Sequence, residues 1–253
     1  MINRLTVWLV ALTLFAIPVR AQQLDIDPGE RQKIEQVIQE YLISNPEVLE
    51  LAFRELQRRR IDQQRLEMAK TADNYRDYLE NNENAGVLGN PEGDVTIVEF
   101  FDYRCGYCRR HFSEVMRLVI EDGNIRWVAR HFPILDRPEE APLSRIAARA
   151  AIAANKQGKF KEFHIDMMTT PGEVSEELIF TIAKNVGLDI PKMKEDMVSA
   201  LTEKQITNTL AIGQDIGFTG TPGYIIGKSV MLGAEGYDTL KRAVALARQS
   251  KKQ

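Results

Sequence analysis

Val95-Thr96-Ile97-Val98-Glu99-Phe100-Phe101-Asp102-Tyr103-Arg104-Cys105-Gly106-Tyr107-Cys108 is the stretch that decides the reading of this chain. Its first seven residues are almost all β-branched or aromatic, the composition of a buried strand. The pattern breaks at Asp102 and resumes at Cys105 as a helix running to about Ile120. A strand that feeds a helix through a short turn is where a parallel sheet presents a reactive loop. At the start of that helix, the Cys105 sulfur would meet free backbone N–H groups and the positive end of the helix dipole. Both favour thiolate over thiol. Arg104, Arg109 and Arg110 are expected to add positive charge nearby. Cys108, one turn further in, is expected to be the more buried thiol and the one that resolves a mixed disulfide formed at Cys105.

These two cysteines are the full complement of a 253-residue chain. A disulfide across so small a loop constrains the unfolded chain very little, so the pair reads as chemical rather than structural. A C-x-x-C can also be half of a structural zinc site. That site needs four ligands, and although His111 is phased for a third, no second C-x-x-C exists. Copper(I) on two soft sulfurs is chemically reasonable as well. His111, His131 and His164 are scattered and read as ordinary surface or core residues. Glu99 is the anomaly of the strand. Its carboxyl is either at an edge or buried, and burial is costly unless the group is paired or protonated. Asp102 reads as a turn residue.

Outward from this stretch, Ile125 to Phe132 reads as a second strand ended by Pro133. From Pro138 to about Ile212 the pattern is helical throughout, with helices at Ile146–Ala154, Phe160–Met168, Ser175–Asn185 and Pro191–Ala200. Gly223–Ile226 and Ser229–Leu232 form a hairpin through Gly227-Lys228, and a last helix spans about Tyr237 to Arg248. The order strand, helix, strand, helical block, hairpin, helix specifies an α/β core with a helical insertion at about 138–212. Asn81 to Asp94, with its Asn, Gly and Pro clusters, is a linker or an irregular first strand.

Residues 23–80 have a different character. Ile34, Val37, Ile38, Tyr41 and Leu42 recur at helical spacing. Asn45-Pro46 reads as the cap and first position of a second helix, which meets no Gly or further Pro before about Asn81 and would be on the order of 50 Å long. Leu49, Ala52 and Leu56 begin an apolar seam that Gln57-Arg58-Arg59-Arg60 interrupts. Ile61, Met68, Ala72, Tyr75 and Leu79 resume it at shifted phase, with Arg65 as its polar position. Self-association accounts for such a helix, with packing back onto its own domain as the alternative. Before it, Arg4, the apolar run Leu5–Ile17 and Val19-Arg20-Ala21 read as a secretory signal peptide cleaved after Ala21. Its removal takes away Arg4 and Arg20, and the formal net charge goes from −3 to −5. That balance is a poor match to nucleic acid. Export places the thiols in an oxidising compartment.

The decisive stretch, Val98 to Cys108, resembles the active-site strand and helix of the DsbA-like thioredoxin-fold family. Gly217-Phe218-Thr219-Gly220-Thr221-Pro222-Gly223 resembles that family's second signature, a loop whose cis-proline faces the redox pair. The resemblance covers about residues 87–249 and implies a thioredoxin core with an inserted helical domain. It implies that Pro222 is cis, that the Thr221 hydroxyl lies beside the sulfurs, and that Glu99 is a buried acid relaying protons near Cys108. Two features depart from the family's strong oxidases. Gly106-Tyr107 looks like the dipeptide of the dimeric DsbC-type isomerases. The N-terminal extension looks like the stalk of the ScsC-like and Com1-like branch, whose members include oligomeric isomerases linked to copper tolerance.

Read together, these features set out a signal peptide at 1–21, a helical oligomerisation segment at 22–82 and a DsbA-like domain at 83–253. The function expected is that of a periplasmic disulfide isomerase or reductase. Its site is Cys105, Cys108, Glu99, Thr221 and Pro222, and no cofactor or metal is called for. Its partners would be exported protein substrates, a membrane redox protein and further copies of itself in a dimer or trimer. A DsbA-like dithiol oxidase and a copper-binding thiol protein are the alternatives.

Overall fold

The computed structural model describes residues 27–82 and 85–251, so the expected signal peptide lies outside the described residues. The chain divides into two compact units, one ending at Leu56 and the other beginning at Gln57.

In the first unit, Asp27 caps helix α1 (Pro28–Ser44). Its carboxylate accepts the Gly29 N–H at 3.1 Å, and Pro28 takes the first position, where no hydrogen bond is lost. The helix ends at Asn45, whose backbone and side-chain N–H groups donate to the Tyr41 carbonyl at 2.9 and 2.8 Å. Its amide therefore closes α1, where the sequence suggests a cap for the helix that follows, α2 (Pro46–Asn74). No residue of α1 is buried. Ile34, Val37, Ile38, Tyr41, Ile43, Leu49, Leu51 and Phe53 are all exposed.

The second unit takes in the last turns of α2, and a short helix α3 (Arg76–Asn81) follows after a break at Tyr75. Its centre is a mixed sheet of β1 (Gly86–Gly89), β2 (Val95–Phe101), β3 (Ile125–His131), β4 (Gly223–Ile226) and β5 (Ser229–Leu232), in the order β1-β3-β2-β4-β5. β2 and β3 are parallel, and the other pairings are antiparallel. Parallel neighbours need a crossover, which α4 (Gly106–Asp122) supplies. Between β3 and β4 lie α5 (Leu143–Lys156), α6 (Phe160–Thr169), α7 (Glu176–Asn185), α8 (Ile190–Met197) and α9 (Ala200–Ile216), and α10 (Tyr237–Ser250) closes the chain. The helical block thus extends past the expected 212 to Ile216, where Gly217 ends α9 at φ 102°. Its last part is a separate helix because the Ser199 hydroxyl caps α9.

β2 is buried on both faces, as its composition requires. Ile97 and Phe101 point into the core shared with α4, α10 and the insertion. Val98 and Phe100 point the other way, into a core that contains Met68, Ala69, Ala72 and Leu79. That second core corrects the expected boundary at residue 82. From Met68 onward the resumed seam is a docking face onto the molecule's own sheet, while Ile61 stays exposed. Tyr75, expected at a subunit contact, donates its hydroxyl to Asp215 at 2.7 Å. Arg65, the seam's polar position, pairs with Glu235 at 3.2 Å. Two arginines of β3 hold the end of α3. Arg130 is buried and donates to the Leu79 carbonyl at 2.6 and 3.0 Å and to the Tyr78 carbonyl, and Arg126 donates to the Glu80 carbonyl. These are the carbonyls a helix leaves unpaired at its C-terminus.

A chain beginning at residue 57 should therefore fold and melt cooperatively. A chain beginning at residue 83 loses the Leu79 side chain and the acceptors of Arg130. Burial of one such leucine stabilises by about 1.5–3 kcal/mol, and an unpaired buried charge costs more. The shorter chain should be insoluble or melt far below the longer one. Equal melting temperatures for the two truncations would contradict this placement of 57–82.

Candidate active site

The site is built where β2 ends. The buried carboxylate of Asp102 accepts the Arg104 N–H at 2.9 Å and the Leu135 N–H at 3.1 Å. It ties the turn before the cysteines to the segment after β3. The Cys105 N–H donates to the Asp102 carbonyl at 3.0 Å, which sets Cys105 as the N-cap of α4. Its Sγ accepts the Cys108 N–H at 3.4 Å, as a capping oxygen would. Both cysteines are free thiols, Cys105 6% exposed and Cys108 fully buried.

The cap position separates the two sulfurs chemically. The Cys105 thiol is lowered to about 5 by hydrogen bonds from Cys108 and Thr221 and from the Cys108 and Tyr107 backbone, against the opposing effect of burial. Burial pushes Cys108 far above the ordinary thiol range, and its bond to Cys105 and the nearby Glu99 carboxyl push in the same direction. The ordering expected from the helix terminus holds.

The leading causes of the lowering at Cys105 are hydrogen bonds, not the arginines, and two of the three arginines are engaged elsewhere. Arg104 pairs with Asp136 and Glu140, both at 3.3 Å. Arg109 donates to the carbonyls of Met168, Thr170 and Gly172, closing the end of α6 and the loop beyond it. Arg110 stacks on the Tyr107 ring.

Across from the cysteines, the Thr221–Pro222 peptide bond is cis. Cys105 Sγ donates to the Thr221 carbonyl at 3.2 Å, so the backbone of that residue makes the direct contact with the thiol. The Thr221 hydroxyl is buried and has no acceptor in this state. Hydrogen bonding by Thr221 is one of the causes that lower Cys105. Gly223 keeps the loop close to the core, since a Cβ there would lie 2.5 Å from the Phe218 ring.

Glu99 is 1% exposed and belongs to the buried reading. Alternation along β2 places it on the same face as Ile97 and Phe101. It accepts the Trp127 indole N–H at 3.0 Å and the Tyr224 hydroxyl at 3.1 Å. Burial raises its carboxyl to about 8, the two donors oppose the rise, and charge on Cys105 adds to it. Trp127 and Tyr224 come from β3 and β4, strands that flank β2, and the linear sequence carries no signal for this pairing. Among the described residues no group of three or more His, Cys, Asp or Glu side chains is gathered as for a metal ion. All three histidines are buried: His164 bonds the Tyr103 hydroxyl at 2.8 Å, and burial holds His131 and His164 at about 3.

A family model described as a DSBA-like thioredoxin domain matches residues 96–245. A thioredoxin-like oxidoreductase from Silicibacter pomeroyi DSS-3 is 44% identical, with a TM-score of 0.64 over 69% of this chain and 98% of that one. ScsC of Proteus mirabilis in a compact conformation shares the fold with a TM-score of 0.64 at 22% identity, over 88% of this chain and all of that one. Among curated proteins, the Na(+)/H(+) antiporter NhaA 1 of Salinispora arenicola is 30% identical over 161 residues, or 64% of this chain. The chain spans 24% of that antiporter's length, and no described helix here is long and apolar enough to cross a membrane.

Two outcomes follow. Ultraviolet titration of the reduced chain should show one thiolate forming near pH 5, and Cys105→Ala should abolish it. Glu99 has a folded pKa above its unfolded one. The stability it contributes is complete below about pH 4.5 and is lost as pH rises through about 8. Denaturant melts should show Glu99→Gln gaining on the parent by roughly 1 kcal/mol per pH unit across that window. A constant difference would mean that Glu99 is charged in the folded state.

Proposed function

The chain belongs to the DSBA-like thioredoxin-domain family, whose members exchange thiols and disulfides, and from that membership we propose that it acts as a disulfide isomerase or reductase on exported proteins. The observation that carries this reading is the inequality of the two sulfurs. In the proposed cycle the Cys105 thiolate attacks a substrate disulfide. A bond forms between Cys105 and one substrate sulfur, and the other leaves as thiolate. Two exits follow. A second substrate thiolate can attack the substrate sulfur of the mixed disulfide, which gives a new substrate disulfide and returns Cys105 as thiolate. Alternatively, Cys108 attacks Cys105, releasing a reduced substrate and leaving a Cys105–Cys108 disulfide.

A sulfur that ionises near pH 5 is a good leaving group, which favours the first exit. A buried thiol that resists ionisation is a slow attacker, which delays the second. Glu99 would accept the Cys108 proton when the second exit is used. Thr221 and Pro222 would hold the substrate backbone against Cys105. The exposed apolar residues of the first unit support assembly into a dimer or trimer, with several redox sites acting on one misfolded chain. Residues 22–56 would be the assembling segment. The setting would be the periplasm, after loss of residues 1–21, with a membrane redox protein restoring the working oxidation state.

Light scattering should give a multiple of the monomer mass for the mature chain and a monomer for the chain from residue 57. The full chain should reactivate a scrambled disulfide protein. The truncated chain should still reduce or oxidise disulfides but reactivate at least several-fold more slowly. Cys108→Ala should accumulate mixed disulfides at Cys105. A monomeric full chain with fast oxidation and no reactivation would replace the isomerase reading with a dithiol oxidase.

A further inference from the structure

Three arginines bracket the redox pair, and the structure gives them three different fates. Arg104 is neutralised by two carboxylates. Arg109 has its donors filled by three backbone carbonyls. Arg110 is exposed, and its guanidinium lies over the Tyr107 ring, 4.7 Å from the ring centroid. Among the described residues no carboxylate pairs with it. Tyr107 is itself 64% exposed, although it stands between two buried cysteines. Arg110 also reaches back over the start of α4: a Cβ at Gly106 would lie 3.2 Å from its Nη1.

We propose that Arg110 is the specificity-determining residue of this redox site, and that it selects substrate chains with a carboxylate beside the reacting cysteine. The inference rests on the redox reading above and names the class of substrate. A guanidinium held over a ring is restrained, and its planar fork of N–H donors can bind a carboxylate through two parallel hydrogen bonds. The ring supplies an apolar surface beside it, and Tyr and Arg are among the residue types enriched at the energetic centres of protein interfaces. With no carboxylate paired to Arg110 among the described residues, its charge is available to an incoming chain. An attacking thiolate and an acidic substrate would otherwise repel one another, and a cation at the rim of the site removes that barrier.

The test uses the reduced full mature chain and two fluorogenic peptide disulfides, identical except for Glu or Lys next to the reacting cysteine. The Glu peptide should have a kcat/KM roughly threefold to tenfold higher at low salt, and the ratio should shrink as salt is added. Arg110→Glu should invert the order. Arg110→Lys should keep the order with a smaller ratio, because an ammonium lacks the planar fork. Thiolate titration of Cys105 in each variant checks the sulfur itself. If the rate changes follow a shift in that titration and apply equally to both peptides, Arg110 acts through the sulfur and the inference is wrong. Equal kcat/KM for the two peptides with the unaltered chain would also overturn it. No reaction with either peptide would overturn the redox reading instead.

Discussion

The structure turns on a single acceptor: the Cys105 sulfur occupies the place a Ser or Asp oxygen usually takes at a helix N-cap. One position thereby solves an electrostatic problem. A thiolate must exist one helical turn from a thiol that keeps its proton. The N-cap sulfur receives N–H groups that the helix leaves unpaired. The sulfur three residues on is inside the helix, where the N–H donors are used up and the surroundings are apolar. Identical side chains thus ionise far apart because one takes the N-cap donors and the other is buried. The rest of the architecture serves to fix that register: β2 delivers the turn, the Asp102 carboxylate pins it to the segment after β3, and the Thr221 carbonyl closes it from across the site.

Glu99 is costly in the same setting. Charge on it and charge on Cys105 oppose each other. With the Cys105 thiolate formed, the low-energy state of the neighbouring carboxyl is the protonated one. Trp127 and Tyr224 moderate the cost without removing it, since two neutral donors only partly replace water around a carboxylate. A Gln would bring one acceptor oxygen to these two donors but no charge to desolvate, so the carboxyl is the costlier group here when ionised. His131 and His164 sit under the opposite constraint. Each is stable as the neutral ring, and the stability they contribute, present above about pH 6.5, is lost as pH falls toward about 3.

Elements whose signal is local were legible in the sequence. The bounds of β2, β4 and β5 follow from β-branched and aromatic runs bounded by turn residues, and the helix after Cys105 follows from periodicity. The cis bond at Pro222 followed from a resemblance rather than from local chemistry. What was not legible depended on partners distant in sequence. The helix expected to reach Asn81 breaks at Tyr75, where the Tyr75 hydroxyl donates to Asp215 and Leu79 beyond it enters the core against the sheet. A polar helix with a broken seam looks identical in sequence whether its partner is another chain or its own sheet. Along this segment the large apolar side chains from Ile34 to Leu66 are mostly exposed, and burial against the sheet begins at Met68.

The arginines make the same point about charge. Sequence proximity put Arg104, Arg109 and Arg110 near the sulfur, and proximity alone predicts that all three stabilise the thiolate. A guanidinium has five donors in a rigid plane, so its effect is set by what those donors meet. Carboxylates behind the turn take Arg104, and the open end of α6 takes Arg109. Each such engagement directs charge away from the sulfur and spends it on holding the insertion and the post-β3 segment against the redox helix. Thiolate stability then falls to short-range hydrogen bonds at the N-cap, which persist in salt where surface charge is screened. Separating these duties leaves the nucleophile insensitive to the ionic setting, while the remaining guanidinium at the rim can respond to whatever chain approaches.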